Sequence, residues 1–412
     1  MGATESKPKP PAAILAPKVF DFPPAAARTR MSTPAYDLMF GKLSLRALFD
    51  DYFQRHPDRN VEAGLVFKPP VYDADVDLTA TMSKDGGEAL MRWQRDSDDP
   101  HNFLEVLAST SKSMLRLSSA AHYPIIGIGA FGTFPLLMAN RACSEDYGVM
   151  GLRYVSQNVS IGASFLPFPF PGEVPYGAWL VGRKGNFSAG LQYKPLSGSN
   201  HPMPFTDVKN WNAAVSYGIG STSPLDNSIL FALELVRNTQ LVASIYQHNI
   251  LRKEVYRWRG DDRITGCLSY LDFGLELATR VNEDKTTDNV DKSLFQIAAS
   301  WQVNENFLVK GKADPSKSSA ALALKLPPCF TFSITVENDH SKGTRSYGFG
   351  IHVGDDVVDP RFHRTINSDW TILTETEEKF NGEQEKRTFQ FDPDSGNFEN
   401  LPTVLKPVDE IL

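Results

Sequence analysis

Phe330-Thr331-Phe332-Ser333-Ile334-Thr335-Val336-Glu337-Asn338-Asp339 is followed, after His340-Ser341-Lys342-Gly343, by Thr344-Arg345-Ser346-Tyr347-Gly348-Phe349-Gly350-Ile351-His352-Val353. Large apolar side chains take every second place in both halves. Phe330, Phe332, Ile334 and Val336 form one row, and Tyr347, Phe349, Ile351 and Val353 the other. Period two belongs to a strand, whose successive side chains point to opposite faces. The linker Asp339-His340-Ser341-Lys342-Gly343 is made of turn residues, so the stretch reads as a hairpin. The alternate places hold Ser, Thr, Gly and a His, so the second face is small and polar.

The same pattern extends upstream. Val61-Ala63-Leu65-Phe67, Val76-Leu78-Ala80-Met82, Met150-Leu152-Tyr154, Val159-Ile161-Ala163-Phe165, Trp211-Ala213-Val215-Tyr217 and Leu271-Phe273-Leu275-Leu277 alternate with polar or small residues, Val66 excepted. Together with less regular runs they predict about nineteen strands between Val61 and Val353, roughly 15 residues for each strand and its turn. A membrane-crossing strand of ~9–11 residues and a short turn fit that spacing. A soluble sandwich with so many strands would need two or three domains, and no boundary shows. A propeller would repeat every ~40–50 residues, and no such repeat is found. The expected fold is all-β: a single large transmembrane β-barrel of about 19 antiparallel strands over residues 61–353.

Composition agrees with a folded protein that crosses a membrane without helices. The 412 residues are 41% hydrophobic and 22% charged, and mean hydropathy is -0.28, too polar for a helical membrane bundle. Residues 123–140 carry no charge, yet hold Pro124, Gly127, Gly129, Gly132 and Pro135. Helix interiors penalise both residue types, so a strand followed by a turn is expected there.

Both ends differ from the middle. Residues 1–34 form a Pro/Ala-rich extension that opens Met1-Gly2-Ala3-Thr4-Glu5-Ser6, a match to the N-myristoylation pattern with Gly2 as acceptor. Residues 35–56 read as an amphipathic helix, with Leu38, Leu45, Leu48, Phe49, Tyr52 and Phe53 at three- and four-residue spacings and His56-Pro57 as its stop. Residues 354–412 carry 14 acidic and 6 basic residues, so they account for the whole chain's net charge of -7. This acidic tail reads as a solvated appendage or as a docking segment for a protein partner. An acidic chain of this kind is not a generic nucleic-acid binder.

Enzyme chemistry finds no footing. No phosphate loop, nucleophile elbow or zinc-protease motif occurs. Cys143, Cys267 and Cys329 lie far apart, and the eight histidines show no metal-ligand spacing. No catalytic, metal or cofactor-binding residue is therefore assigned, and no cofactor is expected.

A membrane barrel inverts the soluble arrangement: apolar residues face outward and polar ones line the lumen. On that reading the charges on the polar faces are candidates for the pore lining. These are Arg153, Lys310, Lys312 and Lys325 on the cationic side and Asp75, Asp77, Glu234, Asp272 and Glu276 on the anionic side. The signs nearly balance, so ion selectivity is expected to be weak. Asp272 and Glu276 lie ~13 Å apart along an extended strand, too far to act as a carboxylate pair. Trp93, Tyr154, Tyr176, Tyr193, Trp211, Tyr217 and Trp301 lie near strand ends, where interfacial girdles lie.

The last strand carries a resemblance. Ser346, Gly348, Ile351 and Val353 fill the four defined places of the sorting signal of mitochondrial outer-membrane barrels. Val309–Asp314 and Ala320–Leu324 resemble the closing hairpins of eukaryotic porins of the voltage-dependent anion channel (VDAC) type. The helix before the first strand fits that family too. The likeness covers roughly residues 36–353, while the added ends are similar to those of a plant-specific VDAC-like outer-membrane protein of about forty-seven kilodaltons. The resemblance implies a barrel in the mitochondrial outer membrane, or alternatively the chloroplast outer envelope. It further implies membrane lipid and the outer-membrane sorting and assembly machinery as partners, and passive diffusion of small solutes as the activity. The alternatives are a soluble or peripheral multi-strand β binding protein, held at the membrane by an acyl chain on Gly2, and a barrel serving mainly as an assembly or docking platform through its acidic tail.

Overall fold

In a computed structural model, every predicted strand between Val61 and Val353 forms, and all of them join one sheet that closes on itself. The structure describes residues 12–16, 33–50, 53, 61–67, 75–83, 86–94, 102–110, 113–123, 125–138, 148–156, 158–168, 174–195, 204–220, 227–254, 264–280, 294–304, 306–326, 330–354, 363–366 and 370–374. Ahead of the barrel come β1 (Ala12–Ala16) and two helices, α1 (Ala35–Leu38) and α2 (Lys42–Asp50). The wall starts with β2 (Val61–Phe67), β3 (Asp75–Ser83), β4 (Gly86–Gln94), β5 (Phe103–Ser109), β6 (Met114–Tyr123), β7 (Ile128–Met138) and β8 (Val149–Val155). It continues with β9 (Val159–Phe165), β10 (Tyr176–Lys184), β11 (Phe187–Tyr193), β12 (Trp211–Gly220), β13 (Ser228–Val236) and β14 (Gln240–Glu254). It ends with β15 (Ile264–Arg280), β16 (Leu294–Asn304), β17 (Phe307–Ala313), β18 (Lys317–Leu326), β19 (Phe330–Asp339) and β20 (Thr344–Gly354). Two short strands follow, β21 (His363–Ile366) and β22 (Trp370–Thr374).

Consecutive wall strands pair antiparallel, and the seam between β2 and β20 is parallel, from Val61↔Phe349 to Val66↔Gly354. The sheet is thus mixed rather than wholly antiparallel. The reason is parity: in an up-and-down wall of 19 strands the first and last run the same way, so they can meet only in parallel.

The strand expected within residues 123–140 forms as β7, with a turn ahead of it; residues 139–140 lie outside the described residues. Tyr123 ends β6, Ile125–Gly127 turn, and β7 follows. Gly127, at φ 66, supplies the left-handed residue, and its N–H donates to the Tyr123 carbonyl at 3.0 Å. Pro135 sits beside a register shift, with Leu115 opposite Leu137 and Arg116 opposite Pro135. A bulge is where a strand tolerates a residue with no amide proton.

The two faces of the wall have opposite character. Met82 is 70% and Leu152 63% accessible on the outside, as are Met91, Tyr154, Phe231, Phe332, Phe349 and Ile351 to lesser degrees. Arg92 at 0% and Arg153 at 2%, with Gln192, His248, Gln302, Ser333 and His352, are buried on the inside. Of the aromatic residues expected at the rims, Trp93, Tyr154, Tyr176, Trp211, Tyr217 and Trp301 are exposed on the outer face. Tyr193 is covered by its neighbours, 5.8 Å from the Tyr176 ring and 5.2 Å from that of Trp211.

Candidate functional site

The lumen is occupied by the chain's own upstream segment. The expected single helix over 35–56 is two pieces among the described residues. Phe40 (φ 61) and Gly41 (φ 75) adopt the left-handed conformation between them and stop α1. A non-glycine residue there costs about 1–3 kcal/mol, and packing must hold it. Phe40 is buried, and its ring lies against Gly190 of β11.

Glycines in the wall admit this segment. A Cβ on Gly190 would lie 2.8 Å from Phe40, and one on Gly274 of β15 would lie 2.9 Å from both Leu45 and Leu48. Tyr36, Leu38, Phe40, Leu45, Leu48 and Phe49 are all buried, joined by Val181, Ala214, Leu230 and Ala298 of the wall. An apolar strip on an otherwise polar inner surface therefore seats the apolar face of the helices.

Polar side chains of the wall fix the segment's ends and middle. Arg153 Nη2 donates to the Thr33 carbonyl at 3.0 Å, and its guanidinium lies 5.6 Å from the Trp179 ring centroid. Gln192 Nε2 donates to Asp37 Oδ2 at 3.0 Å, while its Oε1 accepts from Asn212 at 3.1 Å. Glu234 Oε1 accepts from Lys42 Nζ at 2.7 Å and from the Tyr36 hydroxyl at 3.0 Å. Lys310 Nζ donates to the Ala47 carbonyl and Lys312 Nζ to the Phe49 carbonyl, each at 3.1 Å. These carbonyls belong to the last described turn of α2, at the negative end of its dipole. α2 has no basic residue of its own in that turn; β17 supplies the cations instead. The two bonds also show that α2 runs along β17 in the same direction.

A second polar group lies on β14 and β15. Asp272 Oδ1 sits 2.6 Å from His248 Nδ1 and accepts from the Tyr246 hydroxyl at 3.0 Å, all three buried. Cross-strand register makes the group: His248 is the Cα partner of Asp272.

The nine charged candidates divide by what they touch. Arg153, Lys310, Lys312 and Glu234 grip the luminal segment, and Asp272 is tied to its own wall. Glu276 is partly buried on the inner row and interacts electrostatically with Glu234, Asp50, Lys42 and Lys312. Lys325 lies on the inner row of β18, two residues beyond buried Ala323. Asp75 and Asp77 stand opposite Gln94 and Arg92 in register; their side chains lie outside the described residues, as do Gly2 and most of the acidic tail. The sorting-signal residues all fall on β20, Ser346 and Gly348 on the inner row, Ile351 and Val353 on the outer. Among the residues that the sequence did not single out, Lys42, Tyr36, Asp37, Gln192, Tyr246 and His248 make the contacts above. Inward placement of Gln192, Tyr246 and His248 follows from alternation, but their partners come from another element or strand.

The fold and this lumen define a closed nineteen-stranded β-barrel with an apolar exterior and a helical segment of the same chain inside. No protein-family model matches the chain, and no curated protein sequence matches it either.

Proposed function

We propose that the chain is a VDAC-like outer-membrane β-barrel pore that lets small solutes diffuse passively, with a lumen narrowed by residues 33–50. The observation that carries this reading is the inversion of the wall: large apolar residues point out of a closed sheet, and Arg, Lys, His, Gln, Ser and Thr point in. Buried charges without partners are costly, so such a surface suits a hydrated or chain-filled lumen within an apolar surrounding. Walls of 16–18 strands already enclose an aqueous channel. A helix ~10 Å across then takes up part of the lumen.

The mechanism is filtration. Selectivity depends on width and on the charge that ions meet. Several luminal charges are engaged with the segment or with each other, which agrees with weak selectivity. The residues Ser346, Gly348, Ile351 and Val353 support targeting by the mitochondrial sorting and assembly machinery, with the chloroplast outer envelope as the other destination.

Two measurements test the proposal. Carbonate extraction of separated mitochondria and plastids should leave the protein in one membrane pellet; release into the supernatant would favour a peripheral β-protein. Purified protein in planar bilayers should give stepwise currents with a reversal potential near zero in a potassium chloride gradient. A membrane-integrated but electrically silent protein would refute the pore and favour an assembly platform.

A further inference from the structure

Among the described residues, the wall does not cover the edges of β14 and β15 along their whole length. β13 pairs with β14 only as far as His248, and β16 pairs with β15 only from Tyr270 onward. β14 and β15 nevertheless stay paired with each other out to Glu254 and Gly266. The hairpin thus outruns both neighbours, by about 20 Å at ~3.3 Å per residue. An edge left without a described strand partner over that length invites pairing with another chain, although on β14 the Asn227 side chain still accepts from the Ile250 amide at 2.8 Å.

The chain's own ends cover one of these edges. Ala13, Ile14 and Leu15 of β1 pair in parallel with Ile264, Gly266 and Cys267. The other edge of β1 pairs in parallel with β22 over five positions, from Ala12↔Trp370 to Ala16↔Thr374. β21 then pairs antiparallel with β22. Residues from both terminal extensions therefore meet in one small sheet.

Position gives this sheet its consequence. In the alternating wall, β14 runs parallel to β2, so the end of β14 and the start of β15 lie at the mouth where β2 and β20 finish. Val61 opens β2 at the opposite mouth. Residues 33–50 lie in the lumen between, and α2 runs along β17 toward the mouth where β2 begins. We infer that β1 is a strap: it fixes the luminal segment at the far mouth, and the C-terminal tail, through β22, holds the strap in place. The segment is then tied at both ends, by β1 at one mouth and by β2 at the other. This inference concerns the path of the chain and holds whether or not the barrel conducts.

Cross-linking tests it directly, because register places Leu15 opposite a native cysteine. Neighbouring strands lie ~4.8 Å apart, and a disulfide spans Cα separations of ~4.4–6.8 Å. The full chain carrying Leu15→Cys, Cys143→Ser and Cys329→Ser retains Cys267 as its one partner thiol. Diamide takes two electrons and two protons from the pair, and peptide mapping reads the bond. Most molecules should form the 15–267 disulfide, whereas a Ser316→Cys control at the opposite mouth should form almost none with Cys267. Deleting residues 355–412 should lower the yield several-fold. A yield at position 15 no higher than the control would overturn the strap. A high yield untouched by the deletion would overturn the tail's part in it. An Ile14→Cys, Ile372→Cys pair, in a chain whose three native cysteines are serine, should cross-link on the same criterion. Resistance to carbonate in each variant separates a lost contact from a lost fold.

Discussion

Two arcs of the same wall face the lumen with different surfaces. From β11 to β16 the inner row includes Gly190, Ala214, Leu230, Gly274 and Ala298, and the luminal segment lies on it. On β19 and β20 the inner row includes Thr331, Ser333, Thr335, Glu337, Asp339, Ser346, Gly348, Gly350 and His352, with no large aliphatic residue. The outer rows of both arcs are alike, since both are apolar. The outer row is therefore set by the surroundings of the barrel, and the inner row by what each arc must hold. One arc is a seat for a helix, and the other is a polar lining.

Removing the occupant tests that contrast most strongly. Deletion of residues 1–56 should raise single-channel conductance by roughly twofold or more, because an element ~10 Å across leaves the lumen. Unchanged conductance would mean that the segment does not narrow the path.

Next in size comes the grip of β17. Lys310→Met and Lys312→Met together keep the aliphatic stems but lose two charge-assisted bonds to helix carbonyls, about 1.5–3 kcal/mol each. The heat-denaturation midpoint in detergent should fall, and the difference should shrink in the 1–56 deletion background. An equal loss in both backgrounds would show that the lysines act on the wall alone.

Glycine substitutions sharpen the comparison further. Gly274→Val drives a side chain into Leu45 and Leu48, an overpacking cost of about 1–3 kcal/mol. A Cβ on Gly311 of β17 would meet nothing within 4 Å, so Gly311→Val should stay within about 0.5 kcal/mol of the parent. Equal effects at the two sites would argue that the glycines serve strand curvature rather than a luminal contact.

The smallest effect is expected where the two arcs join, in the turn from β17 to β18. Partial burial pushes the Asp314 carboxyl up, but bonds from the Ser316 hydroxyl and the Ser316 and Lys317 amides outweigh it and hold it below the usual carboxylate range. A depressed folded value means stability that is complete above the ordinary carboxylate range and lost as pH falls through the folded value. Asp314→Asn should cost about 0.5–1.5 kcal/mol near neutrality, and the two proteins should converge in acid. A gap that persists in acid would assign the effect to turn geometry instead of charge.

Much of the fold was legible because period two is a local property. Phe330–Asp339 and Thr344–Val353 declare a strand pair without reference to anything else, and Val61–Phe67 and Val159–Phe165 coincide with their predicted bounds. The inward position of Arg153, Lys310, Lys312 and Asp272 follows from the same alternation. Their roles do not. A lysine on a polar face reads as an attractor of ions until a helix carbonyl is found beside it, more than 250 residues earlier in the chain.

The strands, the alternation of their faces and the unusual character of both ends were already set by the order of residues, since these depend on residue type and spacing along the chain. Three further features arose only once the chain had folded. The parallel seam follows from the parity of the whole wall. The helix breaks at Phe40 and Gly41, where seating against Gly190 favours a bend over a continuous turn. Ala12–Ala16 pairs with Trp370–Thr374, two segments whose complementarity is a hydrogen-bonding register, and backbone register leaves no trace in side-chain pattern until both strands are in place.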